Sequence, residues 1–479
     1  MNLPVNDPAA MAPAPHLSAR PWFFCGIGGS GMLPLALILK GHGATIAGSD
    51  RSRDQGRTPE KFAWLESLGL RLFPQDGSGI TSPEQTLVAS AAVEDTVPEM
   101  VQARDLGCAR MTRAELLSTL FNLSPCGIAV GGTSGKSTVT GMIGWIMTQA
   151  SRDPTIMNGA VMKNFVAPDA PFASARVGSD GVFVSEVDES DGSIALYNPA
   201  IAVLNNISLD HKSLEELHAL FSDFLLKSEF AIINADDPES APFMALEQAR
   251  CFGFRKDMDQ SAYHASDFEQ LAFGCRFNIS HDGTSYPVQL QMPGHHNASN
   301  AMAAIVAAHA AGVPLAACVE ALASFTGLAR RFDIVGSSPS GITVIDDFGH
   351  NPEKCAATLR TLKSHPGRVI AFFQPHGFGP LRQMGHELAE TFARELGPDD
   401  TTILCDPVYF GGTVDRGEGS ERIVALIREA GGRAEYIPLR DDCADRIVAL
   451  AWPGDRIVIM GARDDTLSAF ARNMLERLG

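Results

Sequence analysis

The chain has 479 residues, more than one ordinary domain holds, and at the usual size per domain it divides into about three. With 45% hydrophobic and 20% charged residues it reads as a soluble globular chain, and no apolar run is long enough to span a bilayer. A formal net charge of −18 opposes non-specific nucleic-acid binding, and nine scattered cysteines without a CxxC pair argue against a disulfide framework or a zinc site.

A reducing cytoplasm and small-molecule partners fit these bounds, with no nucleic acid and no membrane expected. Residues 1–20 are rich in Pro and Ala but lack a basic start followed by an apolar core, so they are expected to be a loose tail rather than an export signal. From there β-branched or apolar runs alternate with helix-like segments, the pattern of parallel sheets covered by helices. The expected fold class is α/β in three domains: 21–122, 123–328 and 329–479.

The first block opens with the apolar strand WFFC and then GIGGSG at residues 26–31, followed by Asp50 at the end of a second strand, ATIAGSD. This satisfies a dinucleotide fingerprint: glycines let the backbone approach a diphosphate at a helix N-terminus, and the carboxylate can reach a ribose hydroxyl. A UDP-sugar offers the same groups as NAD. Tight strand-to-helix packing alone would also use these glycines.

The second block begins with the strand CGIAV and the turn GGTSGKST. The general phosphate loop has a glycine six residues before its lysine, and here Val130 stands there. The context is nevertheless that of a phosphate site, because Val139, Met142, Ile143, Ile146 and Met147 repeat with helical spacing directly after it. Free N–H groups at the helix start, the Lys136 charge and the Ser137 hydroxyl suit ATP phosphates and a Mg2+ ion. Two further strands end in polar runs. FVSEVDESDG brings Glu186, Asp188, Glu189 and Asp191, and IAVLNNISLDH brings Asn205, Asn206, Asp210 and His211. If both strands lie parallel to the loop strand, these groups meet at one sheet edge. Residues 250–293 read as short strands extending this sheet. PGHHNASN then places His296, Asn297 and Asn300 at the mouth of an Ala-rich helix, where amide and imidazole groups suit an adenine edge or simple capping. A boundary is expected in FTGLARRFDIVGSSPSG, residues 325–341, before the strand GITVID.

Taken in order, GIGGSGM, GSD, ASAAVEDTVPE, RAELLSTL, GGTSGKST, SEVDESDGS, NNISLDH, PGHHNASNAMAA, RRFDIVG, DDFGHNP and FQPH resemble one family, the Mur ligases of peptidoglycan synthesis, and within it the alanine-adding branch. The family's shortened ATP loop, Gly-Thr-x-Gly-Lys-[Ser/Thr], matches the spelling that departs from the general pattern. The resemblance implies a UDP-binding domain, a central ATPase domain and a C-terminal Rossmann-like domain for the amino acid. It implies that Gly132, Thr133, Ser134, Gly135, Lys136, Ser137 and Thr138 cradle ATP, with Lys136 on the γ-phosphate and Ser137, Glu186 and His211 organising Mg2+. His296 and Asn297 would face the adenine, Arg331 would reach the nucleotide, and Asp347 would contact its ribose. His350 and His376 would lie near the incoming amine. Gly28, Gly29, Ser30, Gly31 and Met32, with Asp50, Ser90 and Asn206, would bind the UDP-sugar.

The implied reaction is formation of an acyl phosphate on UDP-N-acetylmuramate, then attack by an amine, L-alanine by default, in a monomer or weak dimer. Several positions depart from the branch. Ser134 and Asn351 stand where histidines are common, and QDGSG at 75–79 replaces a Gly-His pair. Gly377 and Pro380 replace two arginines suited to the amino-acid carboxylate, for which Arg382 or Arg463 could substitute. Another amine acceptor, a non-catalytic UDP-sugar and ATP sensor, and an NAD-dependent dehydrogenase are the alternatives.

Overall fold

In the computed structural model, residues 15–208, 212–257, 262–408, 417–462 and 464–479 are described. They form two compact units, Met1–Gly327 and Leu328–Gly479. The α/β class expected from the sequence holds: the chain carries three sheets, two in the first unit and one in the second.

The first sheet consists of β1 (Pro21–Cys25), β2 (Thr45–Ser49), β3 (Arg71–Phe73), β4 (Thr86–Ala89) and β5 (Ala109–Thr112), all parallel, in the order β3-β2-β1-β4-β5. Strand order reverses between β1 and β4, which opens a crevice beyond their C-terminal ends. Ahead of β1, a short helical turn at Pro15–Ser18 buries Leu17, whose carbonyl accepts the indole N–H of Trp22 at 2.9 Å. The expected tail otherwise lies outside the described residues.

The second sheet has ten strands: β6 (Cys126–Gly131), β7 (Thr155–Met157), β8 (Ala175–Arg176), β9 (Val182–Glu186), β10 (Ile201–Leu204), β11 (Phe230–Asn234), β12 (Ala249–Gly253), β13 (Tyr263–Leu271), β14 (Gly274–His281) and β15 (Thr284–Leu290). Their order is β15-β14-β13-β12-β11-β10-β6-β9-β7-β8. The strand-rich region near 250–293 does extend the sheet. It does so as an antiparallel meander, β13-β14-β15, beyond a parallel centre. The central strand β6 is buried along all six residues, so both of its faces are covered, and its near-continuous apolar run follows from that. β9 and β10 flank it in parallel register, which carries the acidic run and the Asn pair to the edge where β6 delivers its loop.

The helix Lys136–Gln149 buries ten of its fourteen residues and packs against the helix His295–Ala310, whose alanines allow close approach. Phe121, Phe183 and Tyr197 form an aromatic cluster, with centroids 5.2 to 5.5 Å apart for the Phe121 pairs.

In the second unit, β16 (Asp333–Ser337), β17 (Thr343–Asp347), β18 (Val369–Gln374), β19 (Thr401–Leu404), β20 (Ala434–Tyr436) and β21 (Arg456–Gly461) are ordered β16-β17-β21-β18-β19-β20, with only β16 antiparallel. β18 is buried throughout. Helices pack on both faces of this sheet, over two apolar cores.

Candidate active site

At the end of β1 the chain turns through Gly26, at φ +77°, into the glycine loop. The Gly28 N–H donates to Asp50 Oδ2 at 2.8 Å, and the Ser52 N–H donates to Asp50 Oδ1 at 2.8 Å. Asp50, expected to contact a ligand, thus also fastens the loop and caps the short helix that follows it. A Cβ at Gly28 would lie 2.9 Å from the Phe62 ring and 3.0 Å from Asp50 Oδ2, so any larger residue there would have to displace them. Gly29 and Ser30 are exposed at the loop tip, and Met32 begins the next helix. Ser90 follows β4 at the same sheet edge and lines a cavity of about 430 Å3 with Val93, Met100, Arg110, Thr112 and Glu115.

Two cations join this loop that sequence reasoning missed. Lys61 Nζ donates to the Gly28 carbonyl at 3.3 Å, and the Arg113 side chain lies against Gly31, where a Cβ would stand 2.9 Å from Arg113 Cδ. Arg113 Nη2 is also 3.9 Å from Asp191 Oδ2, within the acidic run after β9. The glycine loop of one sheet and the phosphate-loop neighbourhood of the next are therefore bridged by one guanidinium. A lysine inside KFAWLESL and an arginine at a helix start carry no local signal of this role.

The phosphate loop leaves β6 at Gly131 and enters its helix at Lys136, with Gly135 at φ +83° as the N-cap. That conformation and the space both require glycine: a Cβ at Gly135 would lie 2.4 Å from Asn300 Oδ1 and 2.5 Å from Asn205 Nδ2. Asn205 Nδ2 donates to the Ser134 carbonyl and to Asn300 Oδ1, both at 2.9 Å. Asn206 Oδ1 accepts from the Ser134 N–H at 2.8 Å and from the Thr133 hydroxyl at 3.0 Å. Asn206, expected on the sugar side, is thus hydrogen-bonded to the Gly-Lys-Ser loop. Gly132 lies against the Asn206 backbone, and Thr138 is buried in the first helical turn.

Lys136 Nζ donates to the Gly132 carbonyl and to Glu189 Oε2, each at 2.7 Å. Burial pushes the Glu189 carboxyl up, with the Lys136 ammonium pulling against it. Burial also acts upward on Asp188, but the Ser190 donors and Lys136 outweigh it and hold that carboxyl below its usual range. The Ser137 hydroxyl donates to Glu186 Oε2 at 2.6 Å. Glu186 Oε1 turns toward Gly159, where a Cβ would come within 2.3 Å of it. Asn158 Nδ2 secures the Ser137 carbonyl at 2.8 Å, another partner that its isolated position in the sequence does not announce. His211, with Asp210, lies outside the described residues. Among those described, no three His, Cys, Asp or Glu side chains are gathered as a metal site.

At the start of the helix His295–Ala310, His296 is exposed, whereas Asn297 is buried and donates to the Pro293 carbonyl at 2.7 Å. The neighbouring His295 lies against Phe254, with ring centroids 4.4 Å apart.

In the second unit, Asp347 Oδ2 accepts from the Phe332 N–H at 2.8 Å, and Oδ1 accepts from the Gly349 N–H at 2.8 Å and the Thr358 hydroxyl at 2.9 Å. It anchors the turn that carries Arg331, whose guanidinium lies 4.8 Å from the Phe348 ring centroid. Arg330 and Phe332, on either side of Arg331, both have positive φ, +61° and +49°. His350 and His376 meet edge to face at 5.1 Å. His350 Nδ1 lies 2.8 Å from the Phe348 carbonyl oxygen, which fixes Nδ1 as the protonated nitrogen. Burial, then the Lys354 charge, push His350 down to about 3, so its ring is neutral at physiological pH.

Three family models match in chain order: Mur ligase family, catalytic domain, over residues 23–124; Mur ligase middle domain over 130–308; and Mur ligase, glutamate ligase domain, over 330–463. The UDP-N-acetylmuramate–L-alanine ligase of Synechococcus sp. (strain JA-3-3Ab) is 33% identical over an alignment covering 99% of this chain and 93% of that protein. The chain belongs to the Mur ligase family. The Thermobifida fusca (strain YX) protein of the same name is also 33% identical, covering 92% of this chain and 94% of its own length. Among solved structures, the UDP-N-acetylmuramate-alanine ligase of Thermotoga maritima shares the fold with a TM-score of 0.79 at 24% identity, over 96% of this chain and 99% of that one. A murein peptide ligase of Psychrobacter arcticus shares it at 0.70 and 24%, over the same shares of the two chains. No described helix of this Mur ligase is long and apolar enough to cross a membrane.

Proposed function

We propose that this Mur ligase is an ATP-dependent, ADP-forming ligase that joins L-alanine to the carboxylate of UDP-N-acetylmuramate. The names of its full-length relatives support the donor and the acceptor. The observation that carries the reading is the Arg113 bridge: it ties the glycine loop suited to a nucleotide sugar to the acidic run beside Lys136, where a phosphoryl group would be transferred.

ATP supplies the phosphoryl group that turns the carboxylate into an acyl phosphate, and phosphate leaves when the amine nitrogen attacks the acyl carbon. Lys136 neutralises charge on the transferring oxygens, and the clamped N–H groups of the loop hold the remaining phosphates. The Ser137 hydroxyl and the Glu186 carboxylate form an adjacent oxygen pair of the hard-donor type that Mg2+ takes; they would hold the ion, which would supply positive charge against the phosphoryl oxygens. Lys61, Arg113 and the helix start at Met32 would hold the diphosphate of the sugar nucleotide, and the Ser90 cavity is of nucleoside size. His350, neutral and fixed in tautomer, presents Nε2 as a hydrogen-bond acceptor beside His376.

Phosphate release measured with UDP-N-acetylmuramate, ATP and Mg2+ against a panel of amines tests this. L-Alanine should be the preferred acceptor and Lys136→Ala should abolish turnover; product with another amine and none with alanine would refute the acceptor. Gly377 and Pro380, at positions that otherwise suit carboxylate-binding arginines, favour a second reading in which the amine belongs to a peptide, so a murein tripeptide belongs in the panel.

A further inference from the structure

The acceptor brings a carboxylate as well as an amine, and the segment after β18, Pro375–His376–Gly377–Phe378–Gly379–Pro380, contains no lysine or arginine. A carboxylate at this edge of the second unit therefore needs a cation from elsewhere. Arg330 does not serve, because it is buried and its donors are spent on Asp346 and on the carbonyls of Gly461 and Asp464. Arg331 is stacked on Phe348.

Arg440 is placed differently. It opens the helix Arg440–Leu450 after β20, and its Nη1 donates to Asp464 Oδ2 at 3.2 Å and to the Thr466 hydroxyl oxygen at 2.9 Å. Asp464 is itself fixed: Gln374 Nε2 donates to its Oδ2 at 2.8 Å, and the Thr466 N–H and hydroxyl donate to its Oδ1 at 3.0 and 2.6 Å. Gln374 is the last residue of β18, two before His376. One face of the guanidinium lies 5.3 Å from the Phe470 ring centroid. The group is thus held through one nitrogen and one face, while its side chain remains 30% exposed. Among the described residues, its Nε and Nη2 donors have no hydrogen-bond partner. Those two nitrogens form the planar fork that matches a carboxylate in a bidentate pair.

We propose that Arg440, braced by Asp464 and Thr466, binds the α-carboxylate of the amino-acid acceptor and selects acceptors that carry one. This rests on the ligase reading and specifies its acceptor class: a free amino acid or a peptide with an accessible carboxylate, in preference to a neutral amine.

The test compares L-alanine with L-alaninamide, which keeps the amine and lacks the charge, in wild-type protein, Arg440→Met, Arg440→Lys and Arg382→Ala. Wild type should prefer alanine, and Arg440→Met should raise the KM for alanine roughly tenfold to a hundredfold, the loss expected for charge-assisted hydrogen bonds. The KM values for ATP and the sugar nucleotide should stay unchanged, and the preference over alaninamide should collapse. Arg440→Lys keeps the charge without the fork, so it should recover only part of the preference; it also guards against a fold defect in the methionine variant. An unchanged alanine-to-alaninamide ratio in both Arg440 variants, or a collapse confined to Arg382→Ala, overturns the assignment and leaves the ligase reading standing. No amine-dependent phosphate release from wild type overturns both.

Discussion

Lys136 Nζ lies 2.7 Å from Glu189 Oε2, so the ammonium of the phosphate loop is held by a nearly buried carboxylate of its own chain. Removing the lysine alone strands that carboxylate. Lys136→Met should cost about 2–3 kcal/mol of stability by urea denaturation, and Lys136→Met/Glu189→Gln should recover most of it. Because burial raises Glu189 above its unfolded range, the stranded carboxyl is tolerated below the unfolded value and penalised as pH rises through the folded one. The single variant should therefore lose less stability at pH 4 than at pH 8.

Gly135→Ala meets both a left-handed φ and the Asn205 and Asn300 amides. The conformational term alone is about 1 kcal/mol, and displacing either amide adds to it. A KM for ATP raised at least about tenfold, with that for the sugar nucleotide unchanged, is the expected pattern. Equal effects on both would place the loop elsewhere in the reaction.

Asp50→Asn replaces a carboxylate that accepts from two backbone N–H groups with an amide that has one acceptor oxygen. A loss of about 1–1.5 kcal/mol in stability is expected from the missing bond. The KM for the sugar nucleotide should rise while that for ATP does not, as read by initial rates.

His350 supplies a pH signature. Its folded value is driven down to about 3 from 6.5, so both states are neutral above 6.5, and below that the unfolded chain takes up a proton that the folded chain refuses. Stability is lost as pH falls from 6.5 toward 3. His350→Gln should flatten this part of the curve, seen as a smaller drop in the urea midpoint between pH 7 and pH 5 than wild type shows.

The parts of the site written as short contiguous patterns were legible in the sequence. GGTSGKST announced its strand, turn and helix because a phosphate loop is local, and SEVDESDG and NNISLDH announced a shared edge because parallel strands end together. Roles set by contacts across long separations were not. The hold of Asn206 on the Ser134 N–H spans 72 residues and went unread beside its expected place on the sugar side. Lys61 reaches Gly28 over 33 residues, and Asn158 reaches Ser137 over 21. Arg440 carried no signal at all, since an arginine at a helix start looks like any surface charge until Asp464 is seen beside it. The antiparallel meander after β12 was visible as strand-rich sequence, but its direction was not, because edge strands of either sense share the same composition.

The hold of Asn205, Asn206 and Asn158 on the phosphate loop bears on timing. A nucleotide arriving at a loop already in its final shape waits for no folding event, so capture should follow encounter frequency, with a rate rising linearly with concentration and no plateau. The slow steps of the cycle then belong to other parts of the molecule.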